Sequence, residues 1–340
     1  MKKIIKFSKP YRDIFDLKKD YIDENLINLN ISNRINKKYS NQPLRKKCKN
    51  CGFKLSKTYF KQFKIEYSLC DKCGHLNGNK QDTKKFTDWL YSEKKSDNYE
   101  SQKFYLDKDF DDKVKKIYLP KVNFLKKVLK NKINVLEIGS GGGHFLKALE
   151  IKGISGIGYE VSKYLSKLGN KNLKKNQLIQ ESMDNTYKKV LLNKGANVLA
   201  LIGVLEHLNK PNYIIELFKK SKIKYLYMSV PLFSLSTLIE NSFKKVYPRQ
   251  LSSGHTHLYT KKSLDFLSKK NNFSIVGEWW FGSDFADLYR SLIVSSSNRN
   301  QKKYSQSFNY LLLNYLDSLQ SVLDKNKVCS EVHMVFKKNR

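Results

Sequence analysis

The sequence predicts an α/β protein: a doubly wound, mostly parallel sheet preceded by a small cysteine-rich module. From residue 133 onward, short apolar runs of the strand type alternate with helical segments, which is the pattern of parallel strands joined by crossover helices. An apolar run at 135–138 leads into a glycine-rich turn that opens a helix, as at the ligand-binding edge of such sheets. Two close pairs of cysteines stand before residue 80 and predict a separate, metal-stabilised unit.

Local signals define the helices and strands of the larger unit. Gly153 ends the first helix as a C-cap residue, and Pro211 suits the first turn of a later one. Ser162 and Thr260 have the side chains that cap helix N-termini. The predicted helices lie at 144–152, from 162, near 187–192, from 211 and at 261–271. The predicted strands begin at Val135 and continue at 156–159, 177–180, 198–202, 225–230, 273–279 and 328–337, the last of them antiparallel to its neighbour.

Composition and periodicity divide the chain into four predicted parts. Residues 1–43 are a polar extension with one or two short helices. Residues 44–80 hold the cysteine pairs, and residues 81–132 form a helical linker or lid. Residues 133–340 form the α/β domain.

Two of these parts contain features of their own. Pro120 breaks or kinks the helix of the linker, where Tyr91, Tyr99 and Tyr105 are either lid or plain packing residues. Within the α/β domain, a loop is expected at 231–254. A helical insertion is expected at 284–325, where it covers the pocket or a dimer surface.

The glycine-rich turn predicts a cofactor site. Residues 135–145 read VLEIGSGGGHF, so glycines stand at 139, 141 and 143. Because glycine has no Cβ, the backbone can turn sharply there and a ligand can lie against it. A dinucleotide site would place its third glycine at position 144, which is His144. The turn therefore favours a cofactor without a pyrophosphate.

Two further motifs follow at consistent spacing. The run 154–159 ends in Glu160, at about the 20-residue offset of a ribose-binding carboxylate. The strand at 198–202 runs into Gly-Val-Leu-Glu-His-Leu at 203–208. Over residues 110 to 280 these three motifs resemble the class I S-adenosylmethionine-dependent methyltransferases, in particular the small-molecule branch whose fourth strand ends in a Leu-Glu-His-Leu turn.

The resemblance implies a Rossmann-like sheet of seven strands with S-adenosylmethionine at their carboxyl ends. It implies that Gly139, Gly141 and Gly143 line the methionine and ribose, and that Glu160 holds the ribose hydroxyls. It further implies roles for three other residues: Glu137 orients the turn or the methionine ammonium, Glu181 faces the adenine or is a solvated helix-start acid, and Leu205 contacts the cofactor.

Three histidines are candidates for a catalytic base, which is needed if the acceptor is a hydroxyl or a carbon acid. His255 and His257 belong to a Gly-His-Thr-His-Leu-Tyr-Thr motif that also occurs in the resembled branch, and they are preferred over His207. Relatives that bind a divalent ion at the Glu-His turn place an acid three residues before the glutamate. That position is Gly203 here, so the sequence predicts no catalytic metal.

The cysteine pairs have the spacing of a four-thiolate zinc ribbon. Cys48 and Cys51 form one pair, Cys70 and Cys73 the other, and each pair is followed by a glycine. Two disulfides or a ribbon that has lost its metal remain alternatives. With its Tyr-x-Leu-Cys-x2-Cys-Gly ending, the ribbon resembles the N-terminal module of bacterial methyltransferases for surface glycans or deoxysugars, whose larger C-terminal domain is absent here.

The formal net charge of +34 raises the question of a nucleic-acid partner. Only seven of the 65 basic residues are arginine, the residue that base readout and phosphate clamps favour. The charge therefore indicates compositional drift more than a polyanion-binding surface, although an anionic small acceptor would be attracted. No signal peptide or membrane span is apparent, which predicts a cytoplasmic protein. The oligomeric state is not predicted.

The sequence thus predicts a methyltransferase acting on a small molecule, a sugar or a related biosynthetic intermediate. One alternative is an RNA methyltransferase that uses the ribbon and the lysines to hold the backbone. The other is a non-catalytic RNA- or partner-binding protein with a degenerate core.

Overall fold

A computed structural model describes residues 2–12, 15, 17, 20–91, 109–251, 254–297 and 302–339. The lid tyrosines Tyr99 and Tyr105 lie outside these residues. Among the described helices, none combines the length and apolar character that crossing a bilayer requires.

The strands, in chain order, are β1 (Ile4–Phe7), β2 (Phe60–Gln62), β3 (Ile65–Leu69), β4 (Leu76–Gly78), β5 (Asn134–Ile138), β6 (Ser155–Glu160), β7 (Gln177–Gln180), β8 (Val198–Ile202), β9 (Tyr225–Pro231), β10 (His257–Leu258), β11 (Phe273–Phe281) and β12 (Glu331–Lys338).

The helices are α1 (Asp20–Asp23), α2 (Asn25–Ser40), α3 (Lys84–Tyr91), α4 (Phe110–Lys113), α5 (Leu119–Val128), α6 (His144–Ile151), α7 (Lys163–Asn172), α8 (Met183–Leu192), α9 (Pro211–Lys220), α10 (Leu235–Ser242), α11 (Lys261–Lys270), α12 (Asp284–Ser297), α13 (Lys302–Leu311) and α14 (Leu316–Lys325). A π-helical turn, Val114–Tyr118, joins α4 to α5, so regular α-helical bonding is interrupted just before Pro120.

The main sheet has the strand order β1-β11-β12-β9-β8-β5-β6-β7. The strands β9, β8, β5, β6 and β7 are parallel, and β12 is antiparallel to both its neighbours, as the sequence predicts. After β7 the chain returns to the other side of β5 to form β8. The strand order therefore reverses between β5 and β8, and ligands of such sheets bind at that point.

The predicted fold class is confirmed, with one strand more than expected. β1 pairs in parallel with β11, Ile4 lying opposite Gly277, and adds an eighth strand at the sheet edge. Its four residues alternate between half-buried and exposed positions, too short a run for periodicity to separate from the polar extension.

The loop predicted at 231–254 contains a helix, α10, and that part of the prediction is wrong. Its serines and threonine suggest a loop, but Ser236 and Thr237 are fully buried. Ser236 donates to the carboxylates of Asp284 and Asp287 on α12. Tertiary partners therefore stabilise a helix that local propensity does not favour.

A second, smaller sheet has the order β10-β4-β3-β2. Three of its strands come from the cysteine-rich segment, and the fourth, β10, comes from the α/β domain some 180 residues later. The helix α2 packs on this sheet, Ile35 and Tyr39 lying among its buried apolar residues. The cysteine-rich segment and the α/β domain therefore share one sheet.

Candidate cofactor and acceptor site

The glycine turn after β5 requires glycine for steric reasons. Gly139, Gly141 and Gly143 have φ values of +68°, +52° and +78°, which side chains other than glycine rarely adopt. A Cβ on Gly139 would lie 2.6 Å from Cγ2 of Val204, in the turn after β8. The turn can pack against the end of β8 only because position 139 has no side chain.

Glu160, at the end of β6, is bonded to this turn. Its Oε2 accepts a hydrogen bond of 2.8 Å from the Gly141 N–H, and its Oε1 accepts one of 2.9 Å from the Ser162 N–H. Burial raises the pKa of Glu160, and these N–H groups act in the opposite direction. The predicted ribose-binding residue thus also fixes the glycine turn.

Glu137 lies beneath the turn, in the interior of β5. It is 2% exposed, and its Oε2 accepts no hydrogen bond from the described residues. Burial raises its pKa to about 8, partly offset by a hydrogen bond from Ser140 and by the charge of Lys121. A buried carboxylate oxygen without a donor is costly, so Oε2 of Glu137 is suited to a donor from a ligand.

The structure separates the two remaining predicted cofactor residues from this group. Glu181 is exposed at the start of α8, where its Oε1 accepts hydrogen bonds from Ser182 N and Asn185 Nδ2, which lower its pKa. It has the bonds of a helix-start acid. Leu205 is fully buried in the hydrophobic core, so its side chain packs the sheet and does not line the site.

The three candidate base histidines fall into two pairs. His207 and His255 lie together, with ring centroids 4.8 Å apart. His257, in β10, instead pairs with His75 of the cysteine-rich segment, its Nδ1 lying 2.8 Å from His75 Nε2. Both members of that second pair are 0% exposed. His257 therefore lies in a buried contact between β10 and the cysteine-rich segment, away from the other two histidines, and its role as a base stays a prediction.

The first pair forms a compact group with Glu206 at the end of β8. One ligand atom from each of Glu206, His207 and His255 lies within 4.8 Å of the other two. Burial raises the pKa of Glu206 to about 8 and, assisted by His255, lowers that of His207 well below its usual value. Burial also lowers the pKa of His255 to about 4. Both imidazoles are therefore neutral at pH 7 and can accept a proton or a metal ion.

Tyr91, the one described lid tyrosine, reaches this group from α3. Its hydroxyl lies 2.8 Å from Nδ1 of His207. A hydroxyl on one ring nitrogen restricts the orientation of the imidazole. The lid segment thus contacts this group through the side chain of Tyr91.

Sequence reasoning missed a polar chain beside this group. Glu331 and His333 lie two apart on one face of β12, with Glu331 Oε1 3.1 Å from His333 Nε2. His333 Nδ1 lies 2.8 Å from the Tyr227 hydroxyl. Burial opposes ionisation of Glu331, but the bond from His333 outweighs it and lowers the pKa. The only sequence signal was a Glu-x-His pair in an otherwise apolar strand.

The four cysteine thiols of the small module converge. Sγ of Cys48 lies 3.7 Å from that of Cys73, and Sγ of Cys51 lies 3.4 Å from that of Cys70. Four sulfurs around one tetrahedral Zn²⁺ lie about 3.8 Å apart, given Zn–S bonds of about 2.3 Å. The cysteines are free thiols, which disagrees with the alternative of two disulfides. This arrangement could form a zinc site.

The cysteine-rich module is joined to the α/β domain by buried polar contacts. Lys49 is buried, forms an ion pair with Asp82, and donates a 2.7 Å bond to the carbonyl of Leu208, directly after the Glu-His turn. Asn212 Nδ2 donates to the Lys49 and Asn50 carbonyls at 2.8 and 3.1 Å. Asn50 in turn donates to the carbonyl of Ser263, at 2.9 Å. The module therefore packs over the turn that follows β8.

Comparison with known proteins agrees with this geometry. A family model described as a methyltransferase domain matches residues 110–278, about half of the chain. No curated protein matches the sequence.

Several solved structures share parts of the fold. The plantazolicin methyltransferase BamL, in complex with a triazolic desmethylPZN analog and SAH, is 14% identical, with 75% of this chain and 94% of that one covered and a TM-score of 0.46. The magnesium protoporphyrin IX methyltransferase ChlM from Synechocystis PCC 6803 is 10% identical, with coverages of 68% and 86% and a TM-score of 0.43. A SAM-dependent methyltransferase from Archaeoglobus fulgidus is 17% identical, with coverages of 65% and 92% and a TM-score of 0.42. At these identities none of them bears on the acceptor.

The family match begins at α4, ends in β11, and includes the glycine turn, Glu160 and the Glu-His turn. Residues 110–278 are a class I methyltransferase domain, and the protein is an S-adenosylmethionine-dependent methyltransferase.

Proposed function

We propose that this enzyme methylates a small molecule, a sugar or a related biosynthetic intermediate, beneath the cysteine-rich module. The observation that supports this is the packing of the module over the turn after β8, through Lys49 and Asn212. The most buried cations of the module, Lys49 and Arg45, are both paired with Asp82. They are therefore not available to a phosphate backbone, and the module acts as a cover.

S-adenosylmethionine fits the residues at the end of β5. The glycine turn has positive φ at Gly139, Gly141 and Gly143 and lies beside the buried carboxylate of Glu160, which can accept hydrogen bonds from ribose hydroxyls. Glu137, buried and without a donor on Oε2, matches an ammonium group. The proposed cofactor residues are Gly139, Gly141, Gly143, Glu137 and Glu160. Glu181 lies farther from the glycine turn, at the start of α8.

When bound, S-adenosylmethionine supplies an activated methyl group, so the protein's contribution is to position the acceptor and manage its proton. Glu206, His207 and His255 supply polar groups at the neighbouring strand end. Burial lowers the pKa of both imidazoles, so they are neutral at pH 7. Each can then accept a hydrogen bond from the acceptor hydroxyl and draw its proton away from the oxygen. We therefore propose His207 and His255, rather than His257, as the residues that handle this proton.

Zn²⁺ at Cys48, Cys51, Cys70 and Cys73 is the proposed metal of the module. A crosslink there stabilises a segment of short strands that has few apolar residues of its own. The absence of a spanning helix among the described residues agrees with the proposed cytoplasmic location.

Gly139→Ala tests the cofactor site, with Gly153→Ala as its matched control. Both glycines have φ +68°, but a Cβ on Gly139 meets Val204 at 2.6 Å, whereas nothing lies within 4 Å of one on Gly153. Backbone strain should cost each variant about 1 kcal/mol of stability, and Gly139→Ala should lose more because its Cβ must displace Val204. Only Gly139→Ala should also weaken S-adenosylmethionine binding at least tenfold, or about 1.4 kcal/mol, in calorimetry. Equal affinities of the two variants would exclude this turn as the cofactor site.

The acceptor class is tested by incubating the enzyme with methyl-labelled S-adenosylmethionine and a cell extract, then separating RNA from small metabolites. Label is expected in the small-molecule fraction, and it should withstand treatment of the extract with ribonuclease. Label in RNA, with binding that weakens steeply as salt rises, would instead favour the RNA methyltransferase that the net charge of +34 allows. Binding of RNA or of a protein partner without uptake of S-adenosylmethionine, and without any labelled product, would favour the non-catalytic alternative.

A further inference from the structure

Glu206, His207 and His255 have the composition and spacing of a cation site. One atom from each lies within 4.8 Å of the other two, and His207 Nε2 is 4.0 Å from Glu206 Oε1. Ligand atoms around one ion at about 2.1 Å lie about 3 to 4 Å apart, so small side-chain rotations would bring all three into contact with it. The group lies at the carboxyl end of β8, beside the reversal of strand order.

One oxygen of the carboxylate in this group lacks a donor. Glu206 is 3% exposed, and its Oε2 accepts no hydrogen bond from any described residue. No salt bridge with lysine or arginine is formed by Glu206 within the described chain. A buried acid in this position is costly unless a cation approaches it.

The histidines are already oriented as metal ligands. His255 Nδ1 lies 2.7 Å from the Gln250 carbonyl oxygen, which can only accept, so Nδ1 carries the hydrogen. Its Nε2 then presents a lone pair. His207 contacts the Tyr91 hydroxyl through Nδ1 and faces Glu206 through Nε2. A carbonyl or hydroxyl on the far nitrogen is the usual support of a metal-bound imidazole.

We propose that Glu206, His207 and His255 bind one divalent first-row transition-metal ion, separate from the four-cysteine site. Two imidazoles and one carboxylate leave coordination positions open, as in catalytic metal sites. Given the proposed function, those positions would receive an oxygen of the acceptor and lower the pKa of its hydroxyl, so that His207 and His255 would act on the acceptor proton through the ion and not by taking it up themselves. The sequence predicts no such ion, because Gly203 stands where related metal sites have an acid. The structure supplies the third ligand, His255, from a loop some 50 residues after Glu206.

The test is a titration with Mn²⁺, followed by the electron paramagnetic resonance signal of the free ion, in the absence of cofactor and acceptor. Mn²⁺ is chosen because thiolates bind it poorly, so the four cysteines do not interfere. The full-length wild type should bind one Mn²⁺ per chain. His255→Ala and Glu206→Gln should each weaken this binding at least tenfold, whereas Glu181→Gln, at an exposed acid, should leave it unchanged.

A milder variant guards against unfolding. Tyr91→Phe keeps the ring and removes only the hydroxyl on His207 Nδ1, so it should weaken Mn²⁺ binding several-fold while S-adenosylmethionine binding stays intact. Wild-type protein that binds no Mn²⁺ at millimolar concentration, or binding that is equal in wild type and His255→Ala, overturns the metal site. Cofactor calorimetry on the same samples shows separately whether the methyltransferase site is competent.

Discussion

Two groups of buried acids in this molecule differ in what surrounds them. At the carboxyl ends of β5 and β8, Glu137 and Glu206 each have an oxygen without a hydrogen-bond donor among the described residues. At the contact between α10 and α12, Asp287 accepts bonds from Arg249, Arg290 and Ser236. Burial is similar in both regions, at 2–3% exposure for these three acids.

The pKa of Asp287 therefore shifts in the opposite direction from the pKa values of Glu137 and Glu206, although burial and the charge of Asp287 raise the pKa of its neighbour Glu240 to about 7. Burial raises the pKa of Glu137 and of Glu206 to about 8. Burial also opposes ionisation of Asp287, but the guanidinium groups of Arg249 and Arg290 outweigh it, so its pKa is lowered. Asp287 is thus held in a structural contact, whereas Glu137 and Glu206, at the ends of neighbouring strands, are placed where a ligand could supply the missing donor.

The largest expected effect comes from breaking the compensated region. Asp287→Asn leaves two guanidinium groups facing one remaining acid, Glu240, and should lower the free energy of unfolding by about 3 kcal/mol. The exposed pair of Lys84 and Asp88 supplies the control, since Asp88→Asn should change stability by less than about 0.5 kcal/mol. Urea unfolding monitored by circular dichroism measures both. Similar losses for the two variants would contradict the role of the buried network.

Neutralising Glu137, which has an oxygen without a donor, should raise stability where neutralising Asp287 lowers it. Because the folded pKa of Glu137 is raised to about 8, the contribution of this residue to stability is fully present below about pH 4.5 and is lost as pH rises to about 8. Without cofactor, Glu137→Gln should gain on wild type by up to about 1.4 kcal/mol per pH unit in that window. Urea unfolding of both proteins at pH 5 through 8 gives this difference. A pH-independent difference, or one that shrinks as pH rises, would show that Glu137 is compensated after all.

The smallest effect is expected in the hydrogen-bonded chain of Glu331, His333 and Tyr227, which lies beside Glu206 but has its own internal partners. Tyr227→Phe removes the hydroxyl that lies 2.8 Å from His333 Nδ1 and should cost about 1 kcal/mol. The exposed Tyr213→Phe is the control and should cost nothing measurable. The same urea titration resolves the difference. A loss of zero at Tyr227 would mean that a water molecule replaces the hydroxyl.

Much of the sheet was predictable because its strands and caps carry local signals. β7 and β8 have the predicted bounds, and Ser162 and Thr260 cap their helices through their side chains. β1 and α10 were not predicted, since one is four residues long and the other is rich in serine. Their stability comes from β11 and α12, which lie far away along the chain.

The candidate site divides in the same way. The backbone at position 139 has positive φ, which favours glycine, so this part of the site can be predicted from the residue type alone. The pairing of His257 with His75, and of His255 with His207, depends on which residues a distant module brings into reach. Neighbouring histidines in one motif therefore entered two different environments.

By itself, the sequence determined the alternation of strands and helices, the glycine turn and the four converging cysteines, because each depends on interactions within a few residues or on a fixed spacing. Only the tertiary structure decided which acids are compensated, where the cysteine-rich module lies, and that Glu206, His207 and His255 form one group. These depend on burial and on partners up to 200 residues apart, and the free energy of a buried charge is set by those partners.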